Sequence, residues 1–420
     1  MKKETLAIHY GYEKDEQRTT AVPLYQSTAY EFKSAKHASD LFSLQDLGNI
    51  YTRLTNPTTA ILEARLAELE GGASALATSS GQAAIFYAIL NLVEAGDNII
   101  ISDKIYGGSV TLLTHTIKRL GVEARVFELD NPSSIEGLID DKTKAIFYES
   151  LSNPQIAVAD IESISKIANR YGVITVCDNT VATPYLVNPI EHGTDIVVHS
   201  CSKYISGQGL SLGGAIIDRK GLSEFIQGNP RYAHFNEPDA SYHGLVYTEL
   251  PFPLFNLRIR LALLRDIGAT PSPFNSWSLI QSLETLGLRI EKHSNNALKV
   301  AKFLESHPKV FNLNYPGLEQ SKYNQLANKY FKDGLCSGLI SFEVEDKDTA
   351  WRVLDDTKLF QIVVNIGDSK SIITHPSSTT HQQIPLAEQK KIGITEGLVR
   401  LSIGLESADD LIEDLKIALG

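Results

Sequence analysis

Short apolar runs alternate with amphipathic stretches between residues 98 and 200, and this alternation limits the possible folds more than any other feature. The apolar runs are rich in β-branched residues and short enough to be strands buried on both faces. They are NIIISD (98–103), KAIFYES (144–150), VITVCDN (173–179) and DIVVHS (195–200). The stretches 109–121 and 161–172 have helical spacing and end in glycine. We therefore predict a mostly parallel α/β sheet with ligands at the carboxyl ends of its strands.

The chain on either side of this region has a different pattern. Residues 1–57 lack regular periodicity and end at Asn56-Pro57, which predicts an extended arm. From about residue 255, long helical stretches are followed by the strand-like segments LISFEVE and LVRLSIGLE. A chain of 420 residues is long enough for more than one core. We therefore predict an arm (1–57), a large α/β domain (58–260) and a smaller α+β C-terminal domain (261–420).

Charge and composition argue against several kinds of partner. The formal net charge of -11 is unfavourable for binding nucleic acid. No stretch of about 18 apolar residues is present, and the basic start of the chain is not followed by an apolar run, so neither a membrane span nor a secretory signal is expected. The cysteines Cys177, Cys201 and Cys336 form no CxxC pair, and no HExxH spacing occurs, so we expect no metal site. We predict a cytoplasmic protein.

Polar side chains gather where the predicted strands end. Tyr106 follows the first strand, Asn153 the second and Asp178 the third, while Lys203 follows the fourth in HSCSKYISG (199–207). Each has an ordinary structural explanation, such as a turn former or a solvated lysine. Because parallel strands end at one edge of a sheet, however, we expect these groups to lie close together.

A candidate phosphate site precedes these residues in the chain. In TSSGQAA (78–84), Ser79 or Ser80 can cap a helix and Gly81 allows close approach to its free N–H groups. A phosphate seat, a lysine and an acid are what pyridoxal phosphate requires. The lysine forms a Schiff base with the aldehyde, and the acid keeps the pyridine nitrogen protonated.

Six ordered segments resemble the Cys/Met-metabolism family of pyridoxal-phosphate enzymes, and the resemblance covers nearly the whole chain. They are YTRLTNPT (51–58), SSGQAA (79–84), YGGS (106–109), DNTVATPY (178–185), HSCSKYISG (199–207) and VRLSIGLE (399–406). The resemblance implies an aspartate-aminotransferase-like, fold type I domain with a seven-stranded sheet. Three further segments resemble the O-acetylhomoserine sulfhydrylase subgroup: LFSLQDLGNIYTR, FNEPDASYHGLVY and VVNIGDSKSIITHPSSTTH.

The resemblance implies a role for each matching residue. Lys203 would carry the cofactor and move protons, Asp178 would pair with the pyridinium, and Tyr106 would stack on the ring and assist the leaving group. Arg400 would bind the substrate carboxylate as a bidentate partner. The remaining implied contacts are the phosphate ligands Ser80, Gly81, Gln82, Ser200 and Ser202, the residues Tyr51 and Arg53 reaching the neighbouring subunit's phosphate, and Asn153 and Asn365 supporting Arg400. His375 and His381 are expected to be structural.

The implied reaction is γ-replacement, in which O-acetyl-L-homoserine and sulfide, or a thiol, give L-homocysteine, or methionine, and acetate. The resemblance also implies a homotetramer built from dimers that share active sites. The acyl group stays open, as does the sulfur donor, which is either free or held on a sulfur-carrier protein. Two alternatives within the family are a γ-elimination lyase, of the methionine or cystathionine γ-lyase type, and cystathionine γ-synthase.

Two alternatives outside this chemistry also follow from the residues. Gly207, Gly209 and Gly213 suggest a dinucleotide-binding oxidoreductase, but a Rossmann glycine loop must open a helix, whereas LGGAIID (212–218) predicts a strand. A non-catalytic binding protein of the same fold would have no need to keep the lysine, acid, tyrosine and arginine together.

Overall fold

The computed structural model describes all residues, Met1–Gly420, and its main sheet has seven strands in the order β1-β7-β6-β5-β4-β2-β3. Neighbouring strands from β6 to β3 are parallel, while β7 is antiparallel to both of its neighbours. The strands are β1 (Gly72–Thr78), β2 (Asn98–Ser102), β3 (Glu123–Phe127), β4 (Thr143–Glu149), β5 (Ile174–Asp178), β6 (Ile196–Ser200) and β7 (Gly214–Arg219). The predicted mostly parallel, seven-stranded α/β sheet is confirmed.

A second sheet of five strands lies in the C-terminal part of the chain, in the order β10-β11-β12-β9-β8. Only the short β10–β11 pair is parallel. The strands are β8 (Phe311–Asn314), β9 (Leu339–Glu343), β10 (Gln361–Ile362), β11 (Ile372–Thr374) and β12 (Leu398–Ser402). The predicted strands LISFEVE and LVRLSIGLE are the central pair of this sheet.

Helices cover both faces of the main sheet and also pack against the second. The α-helices are α1 (Lys3–His9), α2 (Ala35–Phe42), α3 (Pro57–Glu70), α4 (Gly81–Leu90), α5 (Gly107–Thr111), α6 (Ile161–Tyr171), α7 (Thr183–Leu186), α8 (Leu222–Ile226), α9 (Leu254–Arg258), α10 (Arg265–Ile267), α11 (Pro273–Leu283), α12 (Leu286–Glu305), α13 (Asn324–Tyr330), α14 (Lys347–Asp356), α15 (Leu386–Lys391) and α16 (Ala408–Leu419). None of them combines the length and apolar character that crossing a membrane requires.

Alternate side chains of the buried strands enter two different cores. Ile99 and Ile101 of β2 pack in the core that contains α4, whereas Ile100 packs in the core that contains α3. Because both faces are covered, the strand sequence is apolar throughout and does not alternate with polar residues. The core on the α3 side continues to Val399 of the second sheet, so the two sheets share one apolar interior.

Several predicted elements differ from the structure in detail. The predicted helix 109–121 is helical in three pieces, α5 followed by a π turn (Leu112–Thr116) and a 3-10 turn (Ile117–Leu120). Residues 1–57 contain α1 and α2, and α1 packs against α3 and α12. The run from α9 to α10 contacts the main-sheet side of the molecule, at β1, β7 and α4. The limits of the three domains stay a prediction.

Candidate active site

A cavity of about 200 Å³ opens at the carboxyl edge of the main sheet and is lined on its other side by Arg400 of the second sheet and by loops next to that sheet. Strands β4, β5 and β6 end at this cavity, and the N-terminus of α4 faces it. Most of the predicted site residues line it together: Ser80, Gly81, Gln82, Tyr106, Asn153, Asp178, Ser200, Ser202, Lys203, Asn365 and Arg400.

Lys203 reaches the cavity from the turn that follows β6. Its Nζ donates a 2.6 Å hydrogen bond to Oδ1 of Asn365, and no carboxylate forms an ion pair with it. Burial lowers the pKa of Lys203, and the nearby Arg400 charge lowers it further. Both effects increase the fraction of neutral amine, which is the form able to attack an aldehyde.

Asp178 is the last residue of β5 and presents a carboxylate without a cationic partner. One oxygen, Oδ1, accepts the Thr180 N–H at 2.9 Å. Burial raises the pKa of Asp178, while hydrogen bonds from Thr180 and the proximity of His199 act in the opposite direction. A cationic ring nitrogen at this position would supply the charge partner that the protein does not.

The N-terminus of α4 forms the candidate phosphate site in the wall of the cavity. Ser80 caps the helix, its hydroxyl accepting the Ala83 N–H at 3.2 Å. A Cβ atom at Gly81 would lie 2.6 Å from Cβ of Ser200, so only glycine allows the helix to approach β6 this closely. Oε1 of Gln82 is buried without a hydrogen-bond partner. Free helix N–H groups beside the Ser200 hydroxyl make this a suitable seat for phosphate.

Arg400 projects into the cavity from the middle of β12 and is 2% exposed. Its Nη1 donates to Oδ1 of Asn153 at 2.9 Å, and its Nη2 donates to the carbonyl of Asn365 at 2.8 Å. Nε has no partner, and no carboxylate pairs with the guanidinium. Burial lowers the pKa of Arg400 to about 10. Arg400 is therefore not part of a surface salt bridge, and a buried cation without a counter-ion favours an anionic ligand.

Two predicted residues lie elsewhere in this chain. Tyr51 and Arg53 are exposed, with the guanidinium stacked 5.2 Å from the tyrosine ring centroid, and neither lines the cavity.

The histidines His375 and His381, expected to be structural, each have a hydrogen-bond partner. Nε2 of His375 bonds to the Glu396 carbonyl, and Nδ1 of His381 bonds to the Thr380 hydroxyl.

Glu149 lines the cavity and was not singled out from the sequence. It is the last residue of β4, and its carboxylate accepts backbone N–H groups from Tyr106 at 2.6 Å and Asn153 at 3.1 Å. The available signal was the one used for Asp178, a charged residue ending an otherwise apolar strand.

These residues fit pyridoxal phosphate, and the cavity defines a class of cofactor-dependent enzyme. The cavity brings together a lysine without an anionic partner, a carboxylate without a cationic one and a helix N-terminus that a side chain on Gly81 would block. A dinucleotide site at residues 207–213 is wrong, because the segment leads directly into strand β7.

The chain belongs to the family of Cys/Met metabolism PLP-dependent enzymes, which it matches over residues 4–420. It is 48% identical to the O-acetyl-L-homoserine sulfhydrylase of Leptospira meyeri, over 100% of this chain and 96% of that protein. A crystal structure from Campylobacter jejuni, of a protein provisionally named O-acetylhomoserine (thiol)-lyase, superposes with a TM-score of 0.99 at 54% identity over 100% of both chains. That structure contains N'-pyridoxyl-lysine-5'-monophosphate.

A cystathionine γ-lyase from Lactobacillus plantarum is structurally similar but more distant. Its TM-score is 0.84 at 30% identity, over 100% of this chain and 98% of that one. The family, the fold and the cofactor predicted from the sequence are thus confirmed.

Proposed function

We propose that this protein is an O-acetylhomoserine sulfhydrylase. It transfers the aminocarboxypropyl group of O-acetyl-L-homoserine to sulfide, giving L-homocysteine and acetate, or to methanethiol, giving methionine. The Cγ–O bond of the ester breaks with its electron pair on acetate, and a Cγ–S bond forms. The similarity to the Leptospira meyeri sulfhydrylase over the full chain supports this choice.

The observation that carries the proposal is the link through Asn365. Its side chain accepts a hydrogen bond from Lys203, and its backbone carbonyl accepts one from Arg400. A substrate held by its α-carboxylate at Arg400 therefore has its α-carbon close to the amine that must move the proton. Such fixed geometry is a large part of catalysis.

Each residue then has a defined task. Bound pyridoxal phosphate supplies an aldehyde for the amino group and an electron sink for a carbanion. Lys203 holds the cofactor, then removes the proton from the substrate α-carbon and one from the β-carbon. Asp178 stabilises the protonated ring nitrogen, and Arg400 with Asn153 binds the α-carboxylate. Tyr106 covers the ring and assists departure of acetate.

The phosphate ligands in this proposal come from two elements. Helix α4 supplies the Gly81 and Gln82 N–H groups next to the Ser80 cap, and the turn after β6 supplies Ser200 and Ser202. We further propose that Tyr51 and Arg53 complete the site of a neighbouring subunit in a homotetramer. Their exposure in the single chain supports this, and light scattering of purified protein tests it.

We place the protein in the cytoplasm. The three buried, unpaired cysteines support a reducing compartment. Fractionation of the source cells, with the chain detected by antibody, would test this placement.

Product analysis tests the function. Purified protein is given acetyl, succinyl and phospho esters of homoserine with sulfide, methanethiol, cysteine, a thiocarboxylated carrier protein or no sulfur source. We expect homocysteine from the acetyl ester with sulfide, and little 2-oxo acid. Predominant 2-oxo acid and ammonia in the presence of sulfide would identify a γ-elimination lyase. Cystathionine from the succinyl ester and cysteine would identify cystathionine γ-synthase.

A further inference from the structure

Glu149 occupies the position in the main sheet where three parts of the site meet. Strand β4 lies between β5 and β2. In the parallel register Glu149 is therefore beside Asp178 on one side, and the turn that carries Tyr106 follows β2 on the other. Its side chain is 4% exposed and faces the cavity.

The carboxylate of Glu149 connects two turns from different crossovers. Oε1 accepts the Tyr106 N–H at 2.6 Å and Oε2 accepts the Asn153 N–H at 3.1 Å, while no cationic side chain pairs with it. Both turns carry a group that faces the ligand. Tyr106 directly precedes α5, so a hydrogen bond to its amide fixes the backbone that carries its ring. The side chain of Asn153 accepts the hydrogen bond from Arg400.

We propose that Glu149 is a positioning residue that sets the distance between the Tyr106 ring and the Asn153–Arg400 pair. A planar carboxylate with one amide on each oxygen fixes both turns relative to β4 and hence to Asp178. The cofactor ring and the substrate carboxylate would then be held by one rigid frame. The identity of the substrate in this inference rests on the proposed function. The positioning of the Tyr106 and Asn153 turns by Glu149 does not depend on it.

The acceptor geometry of Glu149 supports a role beyond packing. Burial and the neighbouring Asp178 raise its pKa well above the ordinary value, and the two amide hydrogen bonds oppose this only in part. A glutamine of the same shape would fill the space without an ionisable group. Only a carboxylate, however, can accept both N–H groups, since a glutamine would direct its own NH₂ group at one of them.

The test compares Glu149→Gln with a matched control, Asp414→Asn. Asp414 is 8% exposed and also accepts two backbone N–H groups, from Lys358 and Leu359 at 2.9 Å each, but it lies on α16 outside the cavity. We expect both variants to lower the melting temperature. Only Glu149→Gln should change the visible circular dichroism of the bound cofactor and weaken pyridoxal phosphate affinity, by roughly ten-fold.

Kinetics add a second readout. We expect Glu149→Gln to raise the KM for O-acetylhomoserine by roughly ten-fold, with little change in the KM for sulfide. This effect should be non-additive with Asn153→Ala, because the glutamate acts through the Asn153 turn. Glu149→Asp, which keeps the carboxyl group but has a shorter reach, should be intermediate, and it serves if the glutamine variant does not fold.

The spectroscopic result is independent of which ester is the substrate, so it separates this inference from the proposed function. Unchanged dichroism and unchanged pyridoxal phosphate affinity in both Glu149 variants, with a loss of stability no different from that of Asp414→Asn, would overturn the positioning role. Additive KM effects with Asn153→Ala would also contradict it.

Discussion

The main sheet and the second sheet both contribute to the cavity, but they place their polar groups in opposite ways. Asp178 is the last residue of parallel strand β5, and Lys203 lies in the turn after β6. Arg400 instead lies in the middle of β12, where both neighbouring strands are antiparallel to it and Val399 and Leu401 are fully buried. Parallel strands collect groups from several turns at one edge, whereas an antiparallel ladder holds one side chain rigidly from both sides.

This difference suggests that the two sheets have separate roles in binding the cofactor and the substrate. The edge of the main sheet carries Lys203 and Asp178, which suit the cofactor, and the second sheet carries Arg400, which suits the substrate carboxylate. Changes at groups that contact Lys203 or the cofactor should therefore alter colour or kcat, while changes at Arg400 and its partner Asn153 should alter KM without altering colour. Variants of both sheets test this distinction.

The largest effect is expected for Lys203→Ala on the main-sheet side. Without the amine, the visible absorbance of the covalently held cofactor should disappear and kcat should fall roughly a thousand-fold or more. Absorbance spectra and borohydride reduction followed by peptide mapping would measure the change. Retained colour and turnover, or a reduced adduct on another peptide, would show that the lysine has been misassigned.

The next largest effect is expected for Arg400→Lys in the second sheet. A lysine cannot reproduce the bidentate geometry, so kcat/KM for the amino-acid substrate should fall about a hundred-fold. The visible absorbance should stay unchanged. Arg65→Lys is the control, because Arg65 is also buried but bonds to the carbonyls of Ala7, Ile8 and Tyr10 and to Glu284. Equal kinetic effects in the two variants would argue against a carboxylate site at Arg400.

A smaller effect should distinguish the two bonds made by Asn365. Asn365→Ala removes the side chain that accepts from Lys203 but keeps the carbonyl that accepts from Arg400. We expect kcat to fall roughly ten-fold with little change in KM. Asn153→Ala removes an acceptor of Arg400 alone and should mainly raise KM. A change in KM for both variants, with kcat constant, would mean that the contacts of Lys203 and Arg400 do not act separately.

Local signals made the strand edge predictable from the sequence. Runs such as NIIIS and IVVHS are apolar because both sheet faces are covered, and their ends mark the cavity. Strands β1 and β3 lacked this signal. GASALAT consists mainly of small residues, and EARVF, at the sheet's edge, alternates charged and apolar residues.

Long-range contacts were the part that the sequence could not supply. The role inferred for Glu149 depends on an amide 43 residues away, and the double role of Asn365 depends on Lys203, 162 residues away. Which polar group accepts which N–H is decided by tertiary packing. The roles of Tyr51 and Arg53 depend on a second subunit and stay a prediction.

The smallest effect concerns the pH dependence of stability, and it also separates the two sheets. Burial lowers the pKa of Lys203 below its ordinary value of 10.5. Between the lowered value and 10.5, the unfolded chain binds more protons at this residue than the folded chain does. The free energy of unfolding therefore rises with pH in this interval. A Lys203→Met variant lacks this contribution.

Urea unfolding of both proteins after removal of the cofactor, from pH 7 to 10.5, measures the difference. The wild-type protein should gain stability relative to Lys203→Met as pH increases, because the cost of burying the ammonium disappears as it loses its proton. Arg400→Met provides the comparison from the second sheet. The pKa of Arg400, about 10, lies at the upper end of this range, so its contribution should change only there. If the free energies of unfolding of the wild-type protein and Lys203→Met differ by a constant amount over the whole pH range, Lys203 is not desolvated in the folded protein.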